Sequence, residues 1–423
     1  MSKNTPKTTI AVDSLGCKLN QAEMESLARQ LARAGYKLVS PADRADIYIL
    51  NSCTVTHIAD RKTRQKLRGY HRLNPVARLV VTGCYGQRKP GELETLDGVA
   101  MVVGNEKKPD IPRLIKDIGI TDGIHPTDSP ELNENHRRTR SFIKIQDGCR
   151  NFCAYCIVPL VRSRELNIPP DVVIDEIIAR EKEGYREVVL TGTEIGRYRY
   201  EDICLESLIE RILMETGITR IRLSSLQPLE ITPELVALWQ DSRLCPHFHI
   251  SLQSGSDSVL TRMKRRYNTG EYRRTVELIR GNVPDVAVTT DVIVGFPGET
   301  DAEFRETLDF CREIRFARIH VFPYSTRPGT AAAVMVPKVS NIVQKERSRQ
   351  VLALAEERSR KYRESYPGRE MEVLFEQKSG GFWTGLTGNY IKVYVKSRAD
   401  LTNRIVLVRL TNIYRDGVRG ELL

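Results

Sequence analysis

Two series of short apolar runs alternate with helical stretches along this chain, four before residue 120 and six after Ser141. Such alternation is the pattern of parallel sheets whose strands are joined by covering helices. The first series is TTIAVDSLG, ADIYILNS, ARLVVTG and GVAMVVG. Between these runs lie candidate helices at about 20 to 34, where Met24, Leu27 and Leu31 recur at helical spacing, at about 57 to 72, and a shorter one before Val99. They predict a small doubly wound α/β domain over residues 1–120. The polar stretch ITDGIHPTDSPELNENHRRTR, with two prolines and several turn formers, predicts a linker over 121–140. The second series is SFIKIQ, REVVLTG, RIRLSS, HFHISLQ, VAVTTDVIVG and ARIHVFPY. Six such units predict a partial (β/α)6 barrel over 141–364, open on one side, with its working residues at the carboxyl ends of the strands. From 365 to 423 the chain is rich in β-branched and aromatic residues with glycine turns, which predicts a small all-β barrel. Phe382, Trp383, Tyr390 and Tyr394 interleave there with basic residues; they either stack RNA bases or fill a small core.

At 423 residues the chain exceeds what one core usually supports. Hydrophobic content of 40%, charged content of 28% and a mean hydropathy of −0.35 are the profile of a soluble globular protein. The first residues carry no apolar leader and no run of about 18 apolar residues occurs, so a cytoplasmic protein without a membrane partner is expected. The net charge of +11 points to a polyanionic partner. Two basic runs stand out. HIADRKTRQKLRGYHR holds Arg61, Lys62, Arg64, Lys66, Arg68 and Arg72, and TRMKRRYN holds Arg262, Lys264, Arg265 and Arg266. They read as phosphate contacts or as solvated helix faces.

Nine cysteines, an odd count, suit metal ligands and buried fillers better than a disulfide framework. QDGCRNFCAYCIVP places Cys149, Cys153 and Cys156 in the loop after the first barrel strand, spaced C-x3-C-x2-C with Tyr155 between the last two. A structural zinc site would need a fourth ligand, yet the nearest histidine is His136, upstream of the strand. Iron–sulfur ligation by three thiolates leaves one iron open to an outside ligand, such as the amine and carboxylate of an amino acid. Later strand ends supply Gly192, Thr193 and Glu194, where the glycine permits close backbone approach and Glu194 could accept from an ammonium. Ser224, Gln253, Asp291 and Gly295 follow at further strand ends, as ligand contacts or as turn and cap residues. A second set is spread widely: Cys17, Cys53 and Cys84 each sit just beyond the carboxyl end of a predicted parallel strand. Those ends converge on one crevice, so the three thiols can meet there; the other reading is three buried cysteines. Cys204, Cys245 and Cys311 share no such position and read as fillers.

The C-x3-C-x-aromatic-C run at the start of a (β/α) barrel resembles the radical S-adenosylmethionine superfamily. There the open iron of a [4Fe-4S] cluster chelates the cofactor's methionine end, and electron transfer cleaves it to a 5'-deoxyadenosyl radical. Together with SLGCKLNQAE, NSCTVTHIADRK, VTGCYGQ and a terminal barrel similar to a TRAM domain, the chain resembles the methylthiotransferases over its whole length. Within them the likeness is to those acting on N6-threonylcarbamoyladenosine of tRNA, through GCKLN, CTVTHIADRK, IRLSSLQP, HFHISLQSGSDSVL and TGLTGNYIKV. The resemblance implies that Cys149, Cys153 and Cys156 hold the cluster that binds S-adenosylmethionine. It implies that Cys17, Cys53 and Cys84 hold a second [4Fe-4S] cluster carrying the sulfur to be inserted, and that tRNA, a sulfur donor and an electron donor are partners. Sibling activities are methylthiolation of isopentenyladenosine in tRNA or of an aspartate in a ribosomal protein; a non-catalytic iron–sulfur RNA-binding protein is the reading from another class. In PLVRSREL, Ser163 stands where relatives commonly carry glycine after the cluster loop.

Overall fold

The computed structural model describes residues 8–118 and 139–423, so the expected linker lies outside the described residues except for Thr139 and Arg140. The N-terminal strands form one parallel sheet in the spatial order Lys37–Val39, Thr9–Ser14, Ile47–Ser52, Arg78–Gly83, Val99–Val103. Four of these match the apolar runs. The three-residue strand Lys37–Val39 does not, because one exposed, one buried and one half-buried residue make too short a pattern to read. Helix Lys18–Arg33 buries two faces. Met24, Leu27 and Leu31 pack on Ile10, Ile47 and Ile49 of its own sheet. Its polar residues Asn20, Glu23 and Arg29 are buried as well, against the next module. Helix His57–Leu73 starts at Thr56, whose side chain accepts from the Ala59 N–H at 3.2 Å, and buries Leu67 and Tyr70 while most of its basic residues face outward.

All six expected barrel strands are present and parallel: Arg140–Lys144, Glu187–Thr191, Arg220–Leu223, His247–Ile250, Ala287–Val294 and Arg318–Pro323. The first three form one sheet and the last three belong to another, joined through Ser225–Leu226 and the Ile221–Leu244 bridge. The barrel is therefore incomplete, and both edges are covered. Helix Lys18–Arg33 lies on the first strand, and the long helix Asn341–Glu364 on the last, burying Val351, Leu354 and Ala355 in the barrel core.

Five strands, Glu370–Ser379, Phe382–Thr387, Lys392–Val395, Ile405–Tyr414 and Gly417–Leu422, close a C-terminal barrel around Phe375, Trp383, Val393 and Val408. Arg222, fully buried on the third strand of the large barrel, ties the two together. It pairs with Glu187 at 3.0 Å, donates to the Gly388 carbonyl at 2.8 Å, and lies 3.9 Å from the Tyr390 ring centre. Removing one partner of a buried pair strands the other charge in a low-dielectric interior. Glu187→Ala is expected to destabilise the protein by about 3–5 kcal/mol, read as a lower urea midpoint than that of the wild type.

Candidate active site

The strand order of the N-terminal sheet reverses beside Thr9–Ser14, and in such sheets a crevice opens beyond the carboxyl ends of the strands flanking the reversal. Cys17 and Cys53 follow the strands on either side of it, and Cys84 opens the short helix Cys84–Arg88 after the next strand. Gly16, at φ +97°, turns the chain into Cys17; a Cβ there would lie 2.7 Å from the Cys53 sulfur, so Cys53 sits directly against the Cys17 turn. Gly83 (φ +91°) and Gly148 (φ +78°) precede Cys84 and Cys149 in the same way, and a Cβ on either would meet backbone oxygen at 2.4 Å and 2.2 Å respectively. Three thiols thus hang from Gly–Cys turns that only glycine can adopt.

The two cysteine sets adjoin. Cys84 packs with Ile157 and Val161, just after Cys156, and lies close enough to Cys17, Cys53 and Cys156 to act on each electrostatically. Burial, reinforced by the neighbouring thiols, pushes Cys53 and Cys156 up to about 12, whereas Cys17 is exposed at the mouth of the crevice. Burial and Glu194 raise Cys149. Two guanidinium groups reach the sulfurs: Arg265 Nη1 donates to Cys153 Sγ at 3.2 Å and Arg162 Nε to Cys84 Sγ at 3.4 Å.

Arg162 is the centre of a buried ion network between the modules. It donates to Glu23 at 2.9 and 3.0 Å, to Asp147 at 2.7 and 2.8 Å and to the side-chain Oδ1 of Asn20 at 2.9 Å, while Lys144 and Lys108 also donate to Glu23. Three cations face two carboxylates, leaving one positive charge in excess beside Cys84 and Cys17. Among the described residues no group of three or more His, Cys, Asp or Glu side chains is drawn tightly enough to hold a single metal ion. Paired sets of three thiols with a cation at each set fit anionic iron–sulfur clusters, whose thiolates are spread over separate irons.

Residues 143–311 match the family model of the radical SAM superfamily, and residues 9–104 match the uncharacterized protein family UPF0004. A threonylcarbamoyladenosine tRNA methylthiotransferase of Chlamydia pneumoniae is 37% identical over 99% of this chain and 99% of its own length. A tRNA-2-methylthio-N(6)-dimethylallyladenosine synthase of Syntrophus aciditrophicus is 34% identical over 99% of this chain and 95% of its own. The chain belongs to the radical S-adenosylmethionine methylthiotransferase family. Among solved structures, the radical S-adenosylmethionine methyltransferase TsrM from Kitasatospora setae superposes with a TM-score of 0.57 at 14% identity, covering 78% of this chain and 77% of that one, a likeness of fold. Membership of the superfamily implies S-adenosylmethionine and a [4Fe-4S] cluster as cofactors of this methylthiotransferase. Among the described residues no helix is long and apolar enough to cross a membrane.

In the methylthiotransferase, the turn after Glu187–Thr191 is built on Gln146. Its Oε1 accepts from the Thr193 and Glu194 N–H groups, both at 2.9 Å, and a Cβ on Gly192 would lie 2.8 Å from its carbonyl oxygen. Glu194 is buried and already engaged: the Cys149 thiol donates to it at 3.2 Å, and Asn151 and Gln227 donate as well. Neighbouring Glu230 has its carboxyl held well above the ordinary range, by burial first and then by Glu194. Thr193 Oγ1 and Ser224 Oγ are buried without a partner among the described residues, two vacant hydrogen-bonding positions at strand ends. Tyr155 packs on the apolar group of Met263, Ile293 and Phe296. Gln253 adopts φ +68° and links strands through its backbone to Asp291 and Ile293 at 2.8 Å. The Asp291 carboxylate lies 3.3 Å from His249 Nε2. Gly295 is a turn residue: a Cβ there would lie 2.3 Å from Gln344 of the long helix. Ser163 stays out of the left-handed region, so glycine is not required at that position.

The basic residues divide. Arg265 is not a surface phosphate contact, because it reaches inward to Cys153, Gln227 and Tyr267. Arg64 pairs with Glu92 at 3.0 Å, Lys66 with Asp13, and Arg262 with Glu303 at 2.8 Å. Arg61, Lys62, Arg68, Arg72, Lys264 and Arg266 are exposed. On the terminal barrel Trp383 fills the core and Tyr390 packs on Arg222, whereas Phe382, Tyr394 and Tyr414 form a ring cluster with Arg419 lying 4.2 Å from the Tyr414 centre. The residues that sequence reasoning missed are Arg162, Glu23, Gln146 and Gln227. The one available signal was the Asn20–Glu23 pair, a polar i, i+3 stripe opposite the apolar face of its helix.

Burial raises the Glu23 carboxyl, but Lys108 and Arg162 outweigh it and hold it well below its ordinary value; Arg162 and Lys144 likewise lower Asp147. Stability from a depressed carboxyl is complete above its unfolded-state pKa of about 4 and is lost as pH falls through the lower folded value. Glu23→Gln is therefore expected to lower the melting temperature at pH 7 and to leave a shallower loss below pH ~4, measured by thermal unfolding across that range.

Proposed function

We propose that this enzyme replaces the C2 hydrogen of N6-threonylcarbamoyladenosine, the nucleoside 3' of the tRNA anticodon, by a methylthio group. The observation that carries the reading is the adjacency of two three-thiol sets, one from each module, in a chain matched end to end by a relative named for that activity. The C2–H bond has no acidic proton and no leaving group, so acid–base side chains cannot open it. Bound [4Fe-4S] centres and S-adenosylmethionine supply the one-electron chemistry, the sulfur and the methyl group.

The chain's residues do the holding and orienting. Cys149, Cys153 and Cys156 would hold the superfamily's cluster and Cys17, Cys53 and Cys84 a second one. Arg265 and Arg162 offset negative charge on the sulfurs, and Glu194 anchors the Cys149 loop through Asn151. Thr193 and Ser224 offer their free hydroxyls to the cofactor. The tRNA is engaged by the exposed Arg61, Lys62 and Arg68 of one helix and by the aromatic cluster of the terminal barrel. A sulfur donor and an electron donor are separate partners in the cytoplasm.

Iron and sulfide after anaerobic reconstitution should reach about eight of each per chain, against about four for a single cluster. Cys17→Ala should retain reductive cleavage of S-adenosylmethionine and lose sulfur insertion, whereas Cys149→Ala should lose both; methylthiolated product from either variant contradicts the assignment. A digest of tRNA from cells with and without the gene identifies the modified nucleoside. For tRNA binding, replacing Arg61, Lys62 and Arg68 by Ala should lower the salt slope by about one for each phosphate no longer neutralised. Arg64→Ala should change it less, since Arg64 is held by Glu92.

A further inference from the structure

Lys18 directly follows Cys17 and lines a cavity of about 570 Å³ between the N-terminal helix, the inner face of the large barrel and the terminal barrel. Among the described residues no hydrogen bond or ion pair satisfies its ammonium. The charged groups facing it are Arg140, Arg222 and Glu187, and Glu187 is taken by Arg222 at 3.0 Å while Arg140 is taken by Glu376. Arg318 and Arg363 line the same cavity; the one carboxylate among its described lining residues, Asp416, is held by Lys392 at 3.0 Å. On another wall the buried His247 gives Nε2 to Thr289 and leaves Nδ1 without a partner among the described residues. Lys18, Arg318, Arg363 and unused polar capacity gather at one cavity, where the lining carboxylate Asp416 is paired and the neighbouring Asp291 stands against His249 at 3.3 Å; this surplus of positive charge describes a site for an oxyanion.

We propose that Lys18 and this cavity bind the amino-acid carboxylate carried on N6 of the modified adenosine. The inference rests on the substrate reading above and adds to it the residue that reads the substrate. C2 and C6 of adenine flank N1 and N6 is carried on C6, so a group on N6 can reach along the same edge of the base as the C–H bond that is replaced. Lys18 adjoins Cys17 in the chain, so its flexible side chain is tethered within reach of a nucleoside whose C2 faces the Cys17 set. An isopentenyl group in its place would leave the half-buried ammonium unanswered, which is how a polar site rejects an apolar analogue. A phosphate offers the same oxyanion chemistry, from the RNA backbone or free in solution.

The test uses reconstituted full-length enzyme and anticodon stem-loops carrying threonylcarbamoyladenosine, adenosine or isopentenyladenosine, with binding read by fluorescence anisotropy. Lys18→Met should weaken binding of the threonylcarbamoyl loop by about ten- to a hundredfold and leave the adenosine loop unchanged, with KM rising more than kcat falls. Lys18→Arg should restore part of the loss. Arg318→Gln, at an exposed position on the cavity rim, should give a smaller loss of the same selectivity, and it keeps the test decisive should Lys18→Met lose iron. Equal losses on both loops, or displacement of the adenosine loop from wild-type but not Lys18→Met enzyme by inorganic phosphate, would assign the cavity to phosphate and overturn the proposal. Failure of the substrate reading has a different signature: the wild-type enzyme would methylthiolate the isopentenyl loop in preference, and both would fall together.

Discussion

The buried network around Arg162 is the interaction on which the arrangement of this molecule depends. It gathers Glu23 and Asn20 from the N-terminal helix and Asp147 and Lys144 from the end of the first barrel strand, and it touches the Cys84 sulfur. Ion pairs this deep are seldom a net gain over apolar packing, because desolvation consumes most of the attraction. Their directionality is what matters here. A guanidinium fork that must satisfy two carboxylates and a carboxamide fixes the angle between two modules more narrowly than an oily contact would, and Cys84 sits at that junction.

Much of this was legible in the sequence, and for identifiable reasons. Strands such as ADIYILNS and ARLVVTG announce themselves because burial on both faces demands nearly continuous apolar runs. The placement of Cys17, Cys53 and Cys84 was readable because each follows a strand, and a parallel sheet brings strand ends together whatever their separation in the chain. The Gly–Cys pairs at 16–17, 83–84 and 148–149 repeat that message in backbone terms.

What could not be read is equally specific. A run of basic residues does not say which members face solvent, so Arg265 looked like its neighbours Lys264 and Arg266 although it turns inward to Cys153. Arg64 and Lys66 fall on the half-buried flank of their helix and meet Glu92 and Asp13, residues far away in the chain. Glu194 has the composition of a ligand-binding carboxylate, but nothing in the sequence links it to Asn151 and Gln227, the side chains that donate to it. Long-range polar pairing of this kind carries no periodicity, and periodicity is what a single sequence reveals best.

Helix Lys18–Arg33 serves as the wall that completes an unfinished barrel. The strand it covers, Arg140–Lys144, would otherwise present a row of unpaired backbone groups to any passing chain. A barrel cut free of the N-terminal module would therefore be a sticky fragment prone to edge-to-edge association.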